Sequence, residues 1–168
     1  LHLVIDPRIK DAEPVISKQF ELSSKVADRI GELHQAINEI RNVKTQLDGL
    51  HKRFGDDERL KAALAAADDL KKKMVAVEEQ LIQVNMKGSE GNLAFPNMLN
   101  ESFYSFSRTI EYADYGPTQP QFDIYKQLDT RLDEQLKKWT QLKTEEVPKI
   151  AALIRQVELP AISVGEKP

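Results

Sequence analysis

The chain has 168 residues, no cysteine, 7 glycines and 8 prolines, with 40% hydrophobic and 30% charged residues. A charged fraction above the usual quarter, with so little turn punctuation, argues for long amphipathic helices rather than many short strands. The net charge of −3 offers no field of one sign to nucleic acid or anionic lipid, the absence of cysteine excludes disulfides, thiolate metal sites and cysteine nucleophiles, and no apolar run approaches the ~20 residues that span a bilayer.

The first stretch, Leu1-His2-Leu3-Val4-Ile5, is apolar and β-branched, and Asp6-Pro7-Arg8 stops it. It reads either as a disordered or packed-down terminus or as the last strand of a preceding β-domain, so residues 1–10 are expected to be a remnant strand or linker. No signal peptide is present, and a start at Leu1 rather than methionine suggests a domain of a longer protein.

From about Ala12 the pattern turns helical: Ile16, Phe20, Val26, Ile30, Leu33, Ile37, Ile40, Val43, Leu47, Leu50 and Phe54 recur mostly at three and four. This spacing keeps one stripe toward a partner over a helix of about 40 residues, or about 60 Å. Gly31 and Gly49 inside it either mark close approach of a neighbour or are tolerated surface glycines. Gly55 is expected to take a left-handed conformation at the helix end, with Asp56-Asp57-Glu58 placing acids beside the next N-terminus. A tight hairpin leads to a second helix carrying Leu60, Leu64, Ala67, Leu70, Met74, Val77, Leu81 and Val84, running to about Lys87, with an alanine cluster that allows close backbone approach.

Residues 88–96 read as an irregular connection. A helix of about 16 residues follows, with Leu99, Phe103, Phe106, Ile110 and Ala113 on one face, and Gly116-Pro117 are expected to end it. Thr118 and Gln121 stand at the spacing of a capping box for the next helix, and Phe122 is placed to staple onto Pro117. That last helix carries Tyr125, Leu128, Leu132, Leu136, Trp139 and Leu142. Pro148 interrupts it, so a kink or a break is expected near Val147. Ile150, Leu153, Ile154 and Val157 resume the pattern, Leu159-Pro160 stops it, and residues 161–168 are expected to be an extended tail. The expected fold is all-α: residues 11–160 form an antiparallel bundle of three long helices and one shorter one, preceded by a short extended segment.

No catalytic constellation emerges. The nearest match to a di-iron Glu-x-x-His pattern is Asp48-Gly49-Leu50-His51, which occurs once; His34 and His51 read as structural or solvated. Ser23, Ser24, Ser102, Ser105 and Ser107 lie on helices without a glycine-rich elbow, and Gly88-Ser89-Glu90-Gly91 is too short for a phosphate loop. The runs Lys71-Lys72-Lys73 and Lys137-Lys138 lack aromatic interleaving and read as solvated faces with helical ion pairs. Phe103, Phe106, Tyr125 and Trp139, with Tyr104, Tyr112, Tyr115 and Phe122, are at the spacing of core positions, the alternative being a ligand groove. No metal or other cofactor is expected.

Two stretches carry a resemblance. Leu3-Val4-Ile5-Asp6-Pro7-Arg8-Ile9 resembles the strand and Asp-Pro-Arg that end an immunoglobulin-like domain, and Ala113-Asp114-Tyr115-Gly116-Pro117-Thr118 with Val147-Pro148-Lys149-Ile150 resembles the helical segment after it, in the C-terminal region of large bacterial sortilin-like proteins with neuraminidase-type (BNR) propeller repeats. The resemblance implies an exported, periplasmic or extracellular module appended to a propeller; it carries over no catalytic residue. The expected role is a non-catalytic helical module that packs, spaces or docks neighbouring domains of the parent chain. The alternatives are a self-associating homo-oligomer and an accessory domain or small-ligand carrier using the aromatic cluster.

Overall fold

The computed structural model describes residues 12–86, 88, 93–112, 115–157 and 159. The expectations for Leu1–Ile5, for residues 1–10 as a whole, for Ala113 and for the tail at 161–168 lie outside these. The described chain is all-helical, and its helices are α1 (Ala12–Phe54), α2 (Lys61–Leu81), α3 (Leu99–Glu111), α4 (Gln119–Gln141) and α5 (Val147–Arg155).

The 43-residue α1 is the common wall: it packs against α2, α3 and α4. Its buried stripe runs Leu22, Val26, Leu33, Ala36, Ile37, Ile40 and Leu47, with Ile30 and Val43 half-buried beside it. Phe20, expected in the stripe, is 71% exposed. Leu22 occupies the seam instead, and two residues along a helix is a rotation of about 200°, so both cannot face inward. A Cβ on Gly31 or Gly49 would meet nothing within 4 Å, so neither glycine marks a close neighbour.

The turn after α1 departs from expectation in its mechanism. Gly55 does not take a left-handed conformation; a Cβ there would stand 2.8 Å from the His51 carbonyl oxygen, which is what requires glycine. Asp57 then caps a 3-10 turn (Glu58–Leu60) by accepting the Arg59 backbone N–H at 3.0 Å. Beyond it, α2 buries Ala63, Leu64, Ala67, Leu70, Met74, Val77 and Leu81.

Helix α2 stops at Leu81 rather than near Lys87, because the chain finds other partners. Ile82 is extended, the Gln83 backbone N–H donates to Glu101 Oε2 at 3.3 Å, and the Gln83 amide donates to the Pro96 carbonyl at 3.0 Å. Glu101 also accepts the Met98 backbone N–H at 3.0 Å, so one carboxylate caps α3 and ties it to the end of α2. Val84 is left exposed.

Helix α3 buries Leu99, Phe103, Phe106 and Ile110 and ends at Glu111, earlier than Gly116-Pro117. Gly116 lies instead against Val15 of α1, and Gln19 of α1 donates to the Ile110 carbonyl at 2.6 Å. The irregular Tyr115–Thr118 segment is therefore held by the start of α1. At the start of α4, Gln121 Oε1 accepts the Thr118 backbone N–H at 2.8 Å, and the Thr118 hydroxyl donates to the same oxygen at 3.2 Å. Phe122 remains 41% exposed.

Between α4 and α5 the helix neither stops nor runs on as α: Leu142–Glu146 form a π-turn, with the Val147 N–H bonded to the Leu142 carbonyl five residues back. Pro148 falls in the first turn of α5. The wider turn resolves two conflicts. It accommodates a ring that would strike the carbonyl four residues earlier in an α-helix, and it absorbs the five-residue step from Leu142 to Val147 that separates one inward position from the next.

Most buried side chains form one core, centred on Leu33, Ile40, Met74, Phe103, Leu132 and Trp139. A second, smaller cluster joins Leu60, Ala63 and Leu64 to Leu50, Phe54, Leu153 and Ile154 at the far end of α1. No described helix is long and apolar enough to cross a membrane.

Candidate functional site

The aromatic residues divide. Phe103, Phe106 and Trp139 are buried in the main core with Tyr125 half-buried against it, so these four fill the interior rather than line a groove. Phe20 (71% exposed), Tyr112 (91%) and Tyr115 (77%) lie at the surface, with Phe122 and Ile124 partly so. The Val15 contact with Gly116 and the bond from Gln19 to Ile110 bring the start of α1 to the junction of α3 and α4, where Tyr112, Tyr115 and Phe122 lie.

The ionised groups near the core are clamps between helices. Glu39 of α1 accepts from Trp139 Nε1 and Lys143 Nζ, both at 2.8 Å, and from Gln35 at 3.0 Å. The hydrogen bonds from Lys143, Trp139 and Gln35 hold its carboxyl down at about 2. Glu78 of α2 is buried, which pushes its carboxyl up, but bonds from Lys44 (2.8 Å) and Arg41 (2.7 Å) prevail and leave it below the usual range. Arg29 joins α1 to α4 through Asp133 and through Asp129, whose carboxylate is 2.8 Å from Arg29 Nε at an ion-pair distance without hydrogen-bond alignment. Charges neutralised in this way carry structure: a carboxylate held near 2 is a poor proton donor or acceptor at neutral pH.

The remaining sequence candidates fall on separate partners. Asp48 pairs with Lys71, His51 lies 3.0 Å from Asp68, and His34 contacts the Asn100 side chain at 2.7 Å. Among the described residues no three His, Asp or Glu side chains gather as a metal site. Ser102 and Ser107 donate back to the carbonyls of Met98 and Tyr104. The lysine run splits, with Lys71 to Asp48, Lys72 to Asp69 and Lys73 to Glu146.

A cleft of about 610 Å³ lies between α2 and α4. Lys73, Ala76, Val77 and Gln80 form its α2 wall; Gln135, Lys138, Gln141, Leu142 and Glu146 form the other. Each wall is one helical face, by the three-and-four spacing, and the second continues into the π-turn. Gln135 is only 7% exposed, and its Oε1 is buried with no hydrogen-bond partner. An unmet buried acceptor of this kind costs about 1–3 kcal/mol. Glu39, Glu78 and Gln135 were not singled out in the sequence. For Gln135 the signal is there: it sits three residues after Leu132 and four before Trp139, an amide in the apolar register.

Comparison with known proteins finds no matching family model, no similar curated protein and no similar solved structure. The resemblance to sortilin-like proteins therefore rests on the residues quoted above.

Proposed function

We propose that the chain is a non-catalytic helical module, an antiparallel bundle that docks a neighbouring domain of its parent protein in an exported bacterial setting. Arg41, Lys44, Asp48 and His51 ascend α1 while their partners Glu78, Lys71 and Asp68 descend α2, which supports the antiparallel arrangement. The observation that carries docking is the exposed aromatic end, where Phe20, Tyr112, Tyr115 and Phe122 stand in solvent. Large aromatic side chains are enriched in protein interfaces because they bury much area at little entropic cost. This is also the N-terminal end of α1, and the resemblance implies an immunoglobulin-like domain ahead of the helical segment, so that domain is the occupant.

Hydroxyl-radical footprinting tests the reading. Oxidation of Phe20, Tyr112 and Tyr115 is expected to fall several-fold when the chain is joined to its preceding domain. Equal labelling in the joined and isolated chains would overturn docking. Light scattering on the isolated chain separates this outcome from self-association, which would bury the same side chains without the second domain.

A further inference from the structure

Helix α5 is held to the other helices by apolar contact. Polar bonds tie α2 to α1 through Glu78, α3 to α1 through Ile110 and Asn100, and α4 to α1 through Asp133 and Trp139. Among the described residues no hydrogen bond or ion pair joins α5 to another α-helix; Lys149 pairs with Glu146 in the π-turn just before it. Ile150 is the one buried residue of α5, and Leu153 and Ile154 are half-buried against the Leu60 cluster. Toward α1 the fit is incomplete. An apolar groove of about 220 Å³ stays open there, with Ile150 and Ile154 on one side and Leu47 and Leu50 on the other. The π-turn itself is anchored, since Lys143 pairs with Glu39 of α1 and Glu146 with Lys73 of α2. None of its residues is buried, and Pro148 just beyond it has no N–H to donate, so the backbone ladder is interrupted where α5 begins.

We propose that α5 is a detachable strap, hinged at the π-turn, which leaves the bundle as one unit while α1 to α4 stay folded. Releasing α5 exposes one buried side chain and breaks no polar bond between helices. Releasing α4 exposes Leu128, Leu132 and Trp139 and breaks the Arg29 and Glu39 clamps as well. Segments with few buried contacts open locally at a lower free energy than the whole domain unfolds. The anchors at Lys143 and Glu146 fix the pivot, so the opening begins after them. The closed strap covers Leu60 and Leu64 and one side of the groove at Leu50; the open strap bares this apolar strip of α1 and α2.

The test is native-state amide hydrogen exchange on the full chain, with urea raised in steps below the unfolding transition. The amides of residues 151–155 are expected to share one protection level, on the order of 100-fold below those around Leu33 and Leu132. They are also expected to share a measurable dependence on urea, because that slope reports the surface bared on opening. Ile110→Val, at a buried site on α3 far from the strap, separates local from global opening. It is expected to lower protection around Leu33 and Leu132 by about 5-fold and to leave residues 151–155 unchanged. The proposal is overturned if residues 151–155 are as protected as the core, if they fall by the same factor in Ile110→Val, or if they show no protection at all. Protection that fades residue by residue toward Arg155 without any urea dependence overturns it too, since that is fraying of a helix end rather than release of a unit. The strap lies at the opposite end of α1 from the exposed aromatic residues, so none of these results bears on docking there.

Discussion

Gln135 and Glu39 show how the same packing treats two polar side chains differently. The Gln135 oxygen is buried and unmet, while its neighbours on the stripe are Leu132 and Trp139. Replacing it with the similarly sized leucine removes the unmet acceptor, so Gln135→Leu is expected to raise stability by about 1–2 kcal/mol in urea unfolding. A lower midpoint would show that the amide contributes to the fold. Glu39 is the opposite case, since Gln35, Trp139 and Lys143 each offer it a donor. Its carboxyl drops from an ordinary 4.5 to about 2, so the folded state favours the ionised form. The resulting stability is present above pH 4.5 and is lost as pH falls toward 2. Because Glu39 is about one-third exposed, Glu39→Gln is expected to cost only ~1–2 kcal/mol at neutral pH. The gap from the parent chain should close near pH 2, as followed by Trp139 fluorescence. A gap that stays constant with pH would assign the effect to packing.

Turns and breaks were legible as positions more than as mechanisms. Gly55 stands at a helix end as its neighbours suggest, yet what demands glycine is the His51 carbonyl at 2.8 Å from a would-be Cβ, a distance no sequence pattern encodes. Gly55→Ala is accordingly expected to destabilise by about 1–2 kcal/mol, whereas Gly31→Ala and Gly49→Ala, whose Cβ atoms meet nothing, should each add about 0.5–1 kcal/mol. Thermal melts of the three variants check the signs. Pro148 announced an irregularity, and the step of five from Leu142 to Val147 held the rest of the signal: a wide turn is the means of keeping both residues inward. Deleting the exposed Thr144 removes the extra residue and forces the proline ring into an α-turn, at a cost of ~3 kcal/mol. Combining the deletion with Pro148→Ala is expected to recover most of that loss, and simple additivity of the two changes would refute the coupling. Helix α2 stops short of its apolar pattern because Gln83 and Glu101, distant from the apolar stripes, give the chain after Leu81 other partners, and at the end of α3 it is Gln19 of α1 that takes the Ile110 carbonyl.

Across the whole molecule, α1 makes contacts that the other helices share, so its seam should unfold with them. Leu33 is fully buried in the main core, and Leu33→Ala is expected to cost about 3 kcal/mol while Trp139 fluorescence and helical circular dichroism lose their signals together. Phe20→Ala, at a 71% exposed position, should change stability by less than about 0.5 kcal/mol. Transitions at different denaturant concentrations for the two probes would divide the main core from the Leu60 cluster at the end of α1.

The all-helical class, the extent of α1 and the inward stripes of α2, α3 and α4 are determined by the sequence alone, because a period of three and four sets which residues of a helix share a face before any partner is known. Only the tertiary structure decides that Phe20 faces solvent, that Glu39 and Glu78 become clamps, and that Gln135 ends beside a cleft with its oxygen unmet. These depend on which donors and which carbon atoms neighbouring helices bring to a side chain, and that is a property of the packing between elements rather than of spacing along one of them.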